Sequence, residues 1–362
     1  MLINQYPATK SDIARLKRLY KGRIPLHGEL HDHSGSGDPE HDPWKTADGK
    51  VPIAVWPHNL KNLQIDFAAL VDHRQSRHMR NPVWDNAIFI GGTETGHRRY
   101  INDIKYAMHY NILMWDVGMF EDFLASFPEF HYENGYFLLK PPFEEGPFRL
   151  MCQAVMDRGA MLVHVHPAHE GYLDSADPED YLLAEGAGLE VLCGYYGKMD
   201  HPGNIKAYNI WVALLNMGHR VIAASGSDSH RLSRTDSLAT LYSPVRDAEA
   251  YVKLVREGDL TAGPVGIRMC VGDTRTGGYA DFKDQRLVIA VDDFHPLEQH
   301  RDHTYRLDIY SEKGLVCQQN FSCAKPFYFA MDTKNCKYYR ANVYDVTDDY
   351  IIAVGNPIWN KE

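Results

Sequence analysis

Residues 28–35 read GELHDHSG, placing His31 and His33 two residues apart at the end of a short apolar run. Successive strand side chains point to opposite faces, so these two imidazoles project from one face, roughly 7 Å apart at Cα. That geometry suits chelation of a metal ion. A lone His-x-His also arises by chance, so its meaning depends on what recurs along the chain.

From about residue 26 to 267, short apolar runs alternate with helical patterns, the signature of β/α units with a largely parallel sheet. Strands are expected at 67–72 (FAALVD), 87–92 (AIFIGG), 106–115 (YAMHYNILMW), 160–167 (AMLVHVHP), 188–193 (GLEVLC) and 220–225 (RVIAAS). Helices are expected at 147–159, closed by Gly159, and at 204–218, with Ile205, Tyr208, Trp211, Val212 and Leu215 at helical spacing and Gly218 as the stop. Titratable residues recur where the strands end: Asp72 and His73 in ALVDHR, Glu94 in GGTETG, His164 and His166 in LVHVHP, Asp228 and His230 in SGSDSH. In a parallel β/α fold the C-terminal ends of the strands converge on one face, where sites are built. His, Asp and Glu converging there without thiolates are the ligand set of a hydrolytic divalent-metal centre.

The rest of the composition narrows the class. A formal charge of -10 argues against a nonspecific nucleic-acid or membrane-surface binder. The first residues lack the basic-then-apolar order of a signal peptide, and no run approaches the length of a membrane span, so a cytoplasmic protein is expected. The six scattered cysteines contain no C-x-x-C pair and read as reduced, mostly buried thiols. After about residue 280 the pattern changes to short alternating or aromatic runs between turns, an all-β texture. The expected organisation is an N-terminal helical extension at 1–25, a barrel at 26–267 and a β-rich subdomain at 268–362.

The order of these motifs resembles the polymerase and histidinol phosphatase (PHP) superfamily of metallohydrolases: His-x-His, a nearby Asp, Asp-His, Gly-x-Glu, His, His-Pro and Asp-x-His. The resemblance covers roughly residues 26 to 267, with GSDSH its most specific piece. It implies an α/β fold of the distorted (β/α)7 barrel type that holds two or three divalent ions (Zn, Mn or Fe), with Glu94 bridging two of them. The implied ligands are His31, His33, Asp38, His73, Glu94, His109, His166, Asp228 and His230. Alternatives stay open: Asp42 or His41 for Asp38, His97 for His109, and His164 for His166, although His164 also reads as a substrate contact. Val71 departs from the family, which usually has Thr or Ser there. The C-terminal β segment, ending AVGNPIWN, resembles the extension of the carbaryl-hydrolase-like branch, which includes ester and carbamate cleavage.

The implied chemistry is attack by a hydroxide held between metals, with Glu94, Asp228 and His230 at the reacting centre. Arg74, Arg231 and Lys198, each just beyond a strand end, are candidate donors to a phosphate; Arg presents a bidentate fork. A small anionic phosphoester is the first expectation. Ester, carbamate or amide hydrolysis is the second, with Trp44, Trp56, Trp84, Tyr195 and Tyr196 as pocket-lining candidates. A noncatalytic binding protein on this scaffold is the third. Asp72 reads as a residue that orients others, and Glu190 as either a support for the site or a buried ion pair.

Overall fold

The computed structural model describes residues 5–35, 48–101, 104–127, 131–132, 136–137, 145–168, 177–232 and 235–361. Strand β1 (Ile24–Asp32) is buried from Leu26 onward and carries the His-x-His pair off its end. Six further strands follow it in sequential order: β2 (Phe67–Leu70), β3 (Phe89–Ile101), β4 (Ile104–Met114), β5 (Met161–His164), β6 (Gly188–Cys193) and β7 (Ile222–Gly226). All run parallel to β1 except β4, which is antiparallel to both β3 and β5. Only two residues separate β3 from β4, and a parallel connection needs a dozen or more, so this pair forms a long hairpin where the sequence had suggested parallel units.

The sheet curls until the end of β7 meets the end of β1. Ser229 bridges Asp32, and the His33 N–H donates to the Ser229 carbonyl at 3.0 Å. Along the rest of β1 that edge belongs instead to β8 (Ala239–Ser243), which pairs antiparallel. The fold is therefore a mixed α/β curl of seven sequential strands, in which a hairpin takes the place of a helical crossover between β3 and β4. Helices α2 (Trp56–Asn62), α3 (Val117–Ser126), α4 (Glu145–Asp157) and α5 (Pro202–Met217) lie between its strands, and α1 (Lys10–Leu19) precedes it. Helix α5 buries Ala207, Ile210, Trp211, Leu214 and Leu215, leaves Ile205 exposed, and ends at Gly218 with φ +103°. The stripe is thus offset from the expected one, because buried Asn204 binds the Cys193 backbone and fixes the rotation of the helix.

Helix α6 (Ala248–Glu257) closes the end of the curl where the parallel strands begin. Tyr251 stacks on Phe67 and donates to the Ala87 carbonyl, and Arg256 donates to the Met156 and Ala160 carbonyls. The opposite end, where the His, Asp and Glu motifs lie, is left for the site.

No break in the sheet marks the start of the C-terminal region. Strand β9 (Leu260–Ala262) joins β8 to β16 (Tyr350–Gly355), and the ladder continues through β15 (Tyr338–Asp345) to β12 (Tyr305–Ser311) and β13 (Gly314–Phe321). A second sheet, β10 (Val265–Val271), β11 (Arg286–Phe294) and β14 (Phe327–Asp332), packs against it. Strand β17 (Ile358–Asn360) pairs with β15. On β11, Leu287, Ile289 and Val291 face the shared core while Val288 and Ala290 face α1, the alternation a strand covered on both sides requires. Leu16 and Tyr20 of α1 pack there, so the N-terminal helix is part of the C-terminal sandwich. No helix among the described residues is long and apolar enough to cross a membrane.

Candidate metal centre

The site is assembled by short turns at strand ends, several of them in backbone conformations that side chains rarely adopt. His166 has φ +30°, Asp228 +50° and Arg74 +61°. Non-glycine residues held there cost on the order of 1–3 kcal/mol each and persist only where surrounding contacts fix them. Ser34 donates its N–H and its hydroxyl to Asp72, both at 2.7 Å, and Gln75 donates to the same carboxylate at 3.0 Å. Asp72 therefore orients the turns carrying His33 and His73. Two glycines provide the space: a Cβ on Gly49 would lie 2.2 Å from the His33 carbonyl, and one on Gly226 would lie 2.5 Å from the His31 Cβ.

Glu94 stands at the centre, almost wholly buried. Its Oε2 lies 3.1 Å from His33 Nε2, 3.2 Å from His73 Nδ1 and 3.5 Å from His31 Nε2; its Oε1 lies 2.9 Å from His109 Nδ1 and 3.2 Å from His166 Nε2. Asp228 Oδ1 joins the first set at 3.2 Å from His33 Nε2 and 3.5 Å from His31 Nε2. Nearer the mouth, Asp48 Oδ2 lies 3.1 Å from His230 Nε2 and 3.6 Å from His73 Nε2, with its Oδ1 3.8 Å from His33 Nδ1. Three groups result: His31, His33, Glu94 and Asp228; Glu94, His109 and His166; His33, Asp48, His73 and His230.

These separations fit metal ions. Donors about 2.0–2.2 Å from a common ion are about 3.0–3.5 Å from one another in octahedral or tetrahedral arrangement, which brackets most of the distances found. His31 Nε2, both ring nitrogens of His33, Glu94 Oε2 and Asp48 Oδ1 are buried without a hydrogen-bond partner among the described residues. Such groups cost free energy unless something satisfies them. Nitrogen and carboxylate oxygen without thiolate suit zinc, manganese or iron.

Without metal, protons and charges balance the cluster. Burial disfavours the charged form of His33, but the carboxylates of Asp228 and Glu94, 3.2 and 3.1 Å from its Nε2, prevail and raise it to about 10. His31 moves up likewise against burial, through Asp228 and Glu190. Burial opposes ionisation of Glu94, Asp228 and Asp48, yet the surrounding histidines hold Asp228 at about 2 and the other two well below the usual carboxylate range. Behind them, burial and mutual repulsion push Glu29 up, and burial also pushes Asp32 up; Ser227 donates to both. Burial first, then the charges of Glu190 and Asp228, push the Cys193 thiol well up, so it supplies no thiolate nucleophile.

Of the ligands named from the sequence, His31, His33, His73, Glu94, His109, His166, Asp228 and His230 come together. Asp38 and its alternatives His41 and Asp42 lie outside the described residues, as do Trp44 and the His97 side chain. Asp48, which sequence reasoning missed, supplies a carboxylate from the same long loop. Its one signal was the following Gly49, whose lack of a side chain lets the loop pass against His33. His164 faces away, its Nδ1 at 3.0 Å from the Tyr181 carbonyl and its ring stacked on Tyr181. Lys198 reaches the C-terminal region, 3.7 Å from Asp348 and over the Tyr350 ring. The Arg74 and Arg231 side chains are exposed and hold no ion-pair partner among the described residues. Trp56 is fully buried with Ile53 and Leu60; Trp84 packs on Phe89. Glu190, buried on β6, lies 3.2 Å from His31 Nδ1 and accepts the His166 N–H at 2.7 Å.

No protein-family model matches the chain, and no curated protein matches it. Among solved structures the chain is similar to the crystal structure of a "putative metal-dependent phosphoesterase" from Bifidobacterium adolescentis, with 15% identity and a TM-score of 0.34 over 57% of this chain and 88% of that one. At that level of likeness the reading of function rests on the site's own geometry.

Proposed function

We propose that the protein is a divalent-metal-dependent hydrolase acting on a small phosphoester. One observation carries the proposal: a single buried carboxylate, Glu94, turns its two oxygens toward five histidines drawn from β1, β4 and the turns after β2 and β5. Such a carboxylate is suited to be shared between ions.

Divalent ions held there would supply Lewis acidity and a hydroxide at neutral pH. Three carboxylates (Asp48, Glu94, Asp228) offset three of the four to six positive charges that two or three such ions bring, leaving a cationic pocket in an acidic protein. An anionic substrate is favoured accordingly. Asp228, the carboxylate beside His31 and His33 that reaches partway to solvent, is placed to accept a proton from attacking water. Arg74 and Arg231, exposed and adjacent in sequence to His73 and His230, have no ion-pair partner among the described residues, and their guanidinium forks match the non-bridging oxygens of a phosphate. The ester or carbamate reading loses Trp56, which lies in the core, from its pocket-lining candidates and keeps the exposed Tyr195.

The test is to strip the protein, reload it with zinc, manganese or iron, and compare p-nitrophenyl phosphate and bis(p-nitrophenyl) phosphate with p-nitrophenyl acetate and an aryl carbamate, alongside Glu94→Ala. Metal-restored phosphate release that the variant lacks is the expected result. Acetate or carbamate cleavage without phosphate release would transfer the assignment to the second class. Bound metal with no turnover on any substrate would leave a noncatalytic scaffold.

A further inference from the structure

Glu190 makes two contacts that only a carboxylate can make together. Its Oε1 lies 3.2 Å from His31 Nδ1, and its Oε2 accepts the backbone N–H of His166 at 2.7 Å. One contact reaches β1 across the inside of the curl; the other reaches the turn after β5. The approach is close enough that a Cβ on Gly226 would lie 2.9 Å from Oε1 as well as 2.5 Å from His31 Cβ. Glycine at 226 is what allows the ring and the carboxylate to meet.

We infer that Glu190 is the positioning residue of the metal centre: it sets the tautomer of His31 and holds the His166 turn, so one side chain prepares ligands in two of the three groups. The inference rests on the metal-centre reading above. A carboxylate acceptor on Nδ1 keeps the His31 proton on that nitrogen, so that with an ion bound the Nε2 lone pair, 3.5 Å from both Glu94 and Asp228, would be the one offered to it. The second oxygen holds the N–H of a residue whose φ of +30° needs an external restraint. Removing either contact disarms a different ligand.

Glutamine has the same shape but one acceptor. With its oxygen on the His166 N–H, its NH2 group faces His31 Nδ1, the proton moves to Nε2 and that ligand is lost. With its oxygen on His31, a donor faces the His166 N–H in a buried place and the turn is released. Neither orientation preserves both ligands. Aspartate keeps two acceptors on a shorter stem.

The experiment uses the full chain, stripped and titrated with zinc alone, reading zinc affinity and stoichiometry together with the imidazole 15N spectrum of the zinc-loaded protein. Glu190→Gln, with the wild-type circular dichroism spectrum, is expected to weaken one zinc equivalent by about 10–100-fold and to change the protonated nitrogen of one histidine or broaden the signals of the His166 turn. Glu190→Asp is expected to recover most of the affinity with the wild-type nitrogen pattern, and it decides the matter if the glutamine variant fails to fold. Wild-type zinc affinity and an unchanged nitrogen pattern in Glu190→Gln would overturn the inference while leaving the metal centre standing; an inverted His31 tautomer in Glu190→Asp would do the same. A wild-type protein that takes up no zinc, manganese or iron would overturn both.

Discussion

The inner and outer halves of the cluster use the same chemistry in different surroundings. Around Glu94, the side chains of His31, His33 and His166 are at most 5% exposed and sit on β1 or in turns clamped by buried carboxylates, while His109 on β4 is 44% exposed. Around Asp48, the side chains of Asp48, His73 and His230 are 36%, 32% and 33% exposed, and the carboxylate comes from a loop. Charges attract more strongly where water is excluded, and ligands on rigid elements lose less entropy on binding. An ion among His31, His33, Glu94 and Asp228 is therefore expected to be held more firmly than one among Asp48, His73 and His230. His33, which faces Glu94 through Nε2 and Asp48 through Nδ1, joins the two.

The sharpest way to break this contrast is at its centre. Glu94→Ala removes the carboxylate shared by two groups and is expected to lower metal-dependent turnover by about 10³-fold or more, with zinc lost from the inner half; turnover within tenfold of wild type would sink the shared-carboxylate reading. Asp48→Ala is expected to release one ion equivalent on desalting and cost about 10²-fold in turnover, the inner ions staying bound by elemental analysis. Equal retention of every ion would erase the distinction between the halves.

Protons provide a gentler probe. His33, held at about 10, and His31, also raised, carry protons at neutral pH in the metal-free protein, and zinc must displace them. Zinc uptake near neutral pH is expected to release protons, with affinity rising by about tenfold per pH unit for each proton displaced until those histidines titrate. Calorimetry in buffers of different ionisation enthalpy measures this directly, and buffer-independent heats would refute it. Gly226→Ala pushes a methyl between His31 and Glu190 and is expected to cost about 1–3 kcal/mol in urea unfolding. The smallest effect belongs to Arg74→Ala, a rise of about threefold to tenfold in KM for a phosphate substrate with kcat held, read from initial rates.

The histidines of both halves, Glu94 and Asp228 were legible in the sequence because strand ends are local features. An apolar run followed by His-x-His, Gly-x-Glu, His-Pro or Asp-x-His gives both the element and the ligand. Asp48 was not legible, because it belongs to a loop and its spacing from His33 is set by no helical or strand period. The antiparallel course of β4 was missed for a related reason: the apolar run at 106–115 looks the same in either direction, and only the two-residue gap before it decides. Glu190 read equally well as an ion pair, since a buried Glu in GLEVLC does not reveal which donors it meets across the curl.

The placement of α1 bears on how the chain acquires its fold during synthesis. Leu16 and Tyr20 pack on Val288, Ala290 and Ala330, and Pro7 bridges Phe329, so these residues find their partners only after about three hundred more have been made. Until then the apolar stripe of α1 and one face of β11 are both uncovered in the nascent chain, the condition in which off-pathway association competes with folding. Strands β11 and β14 close on a segment made about three hundred residues before them, which makes docking of α1 a natural late step in maturation.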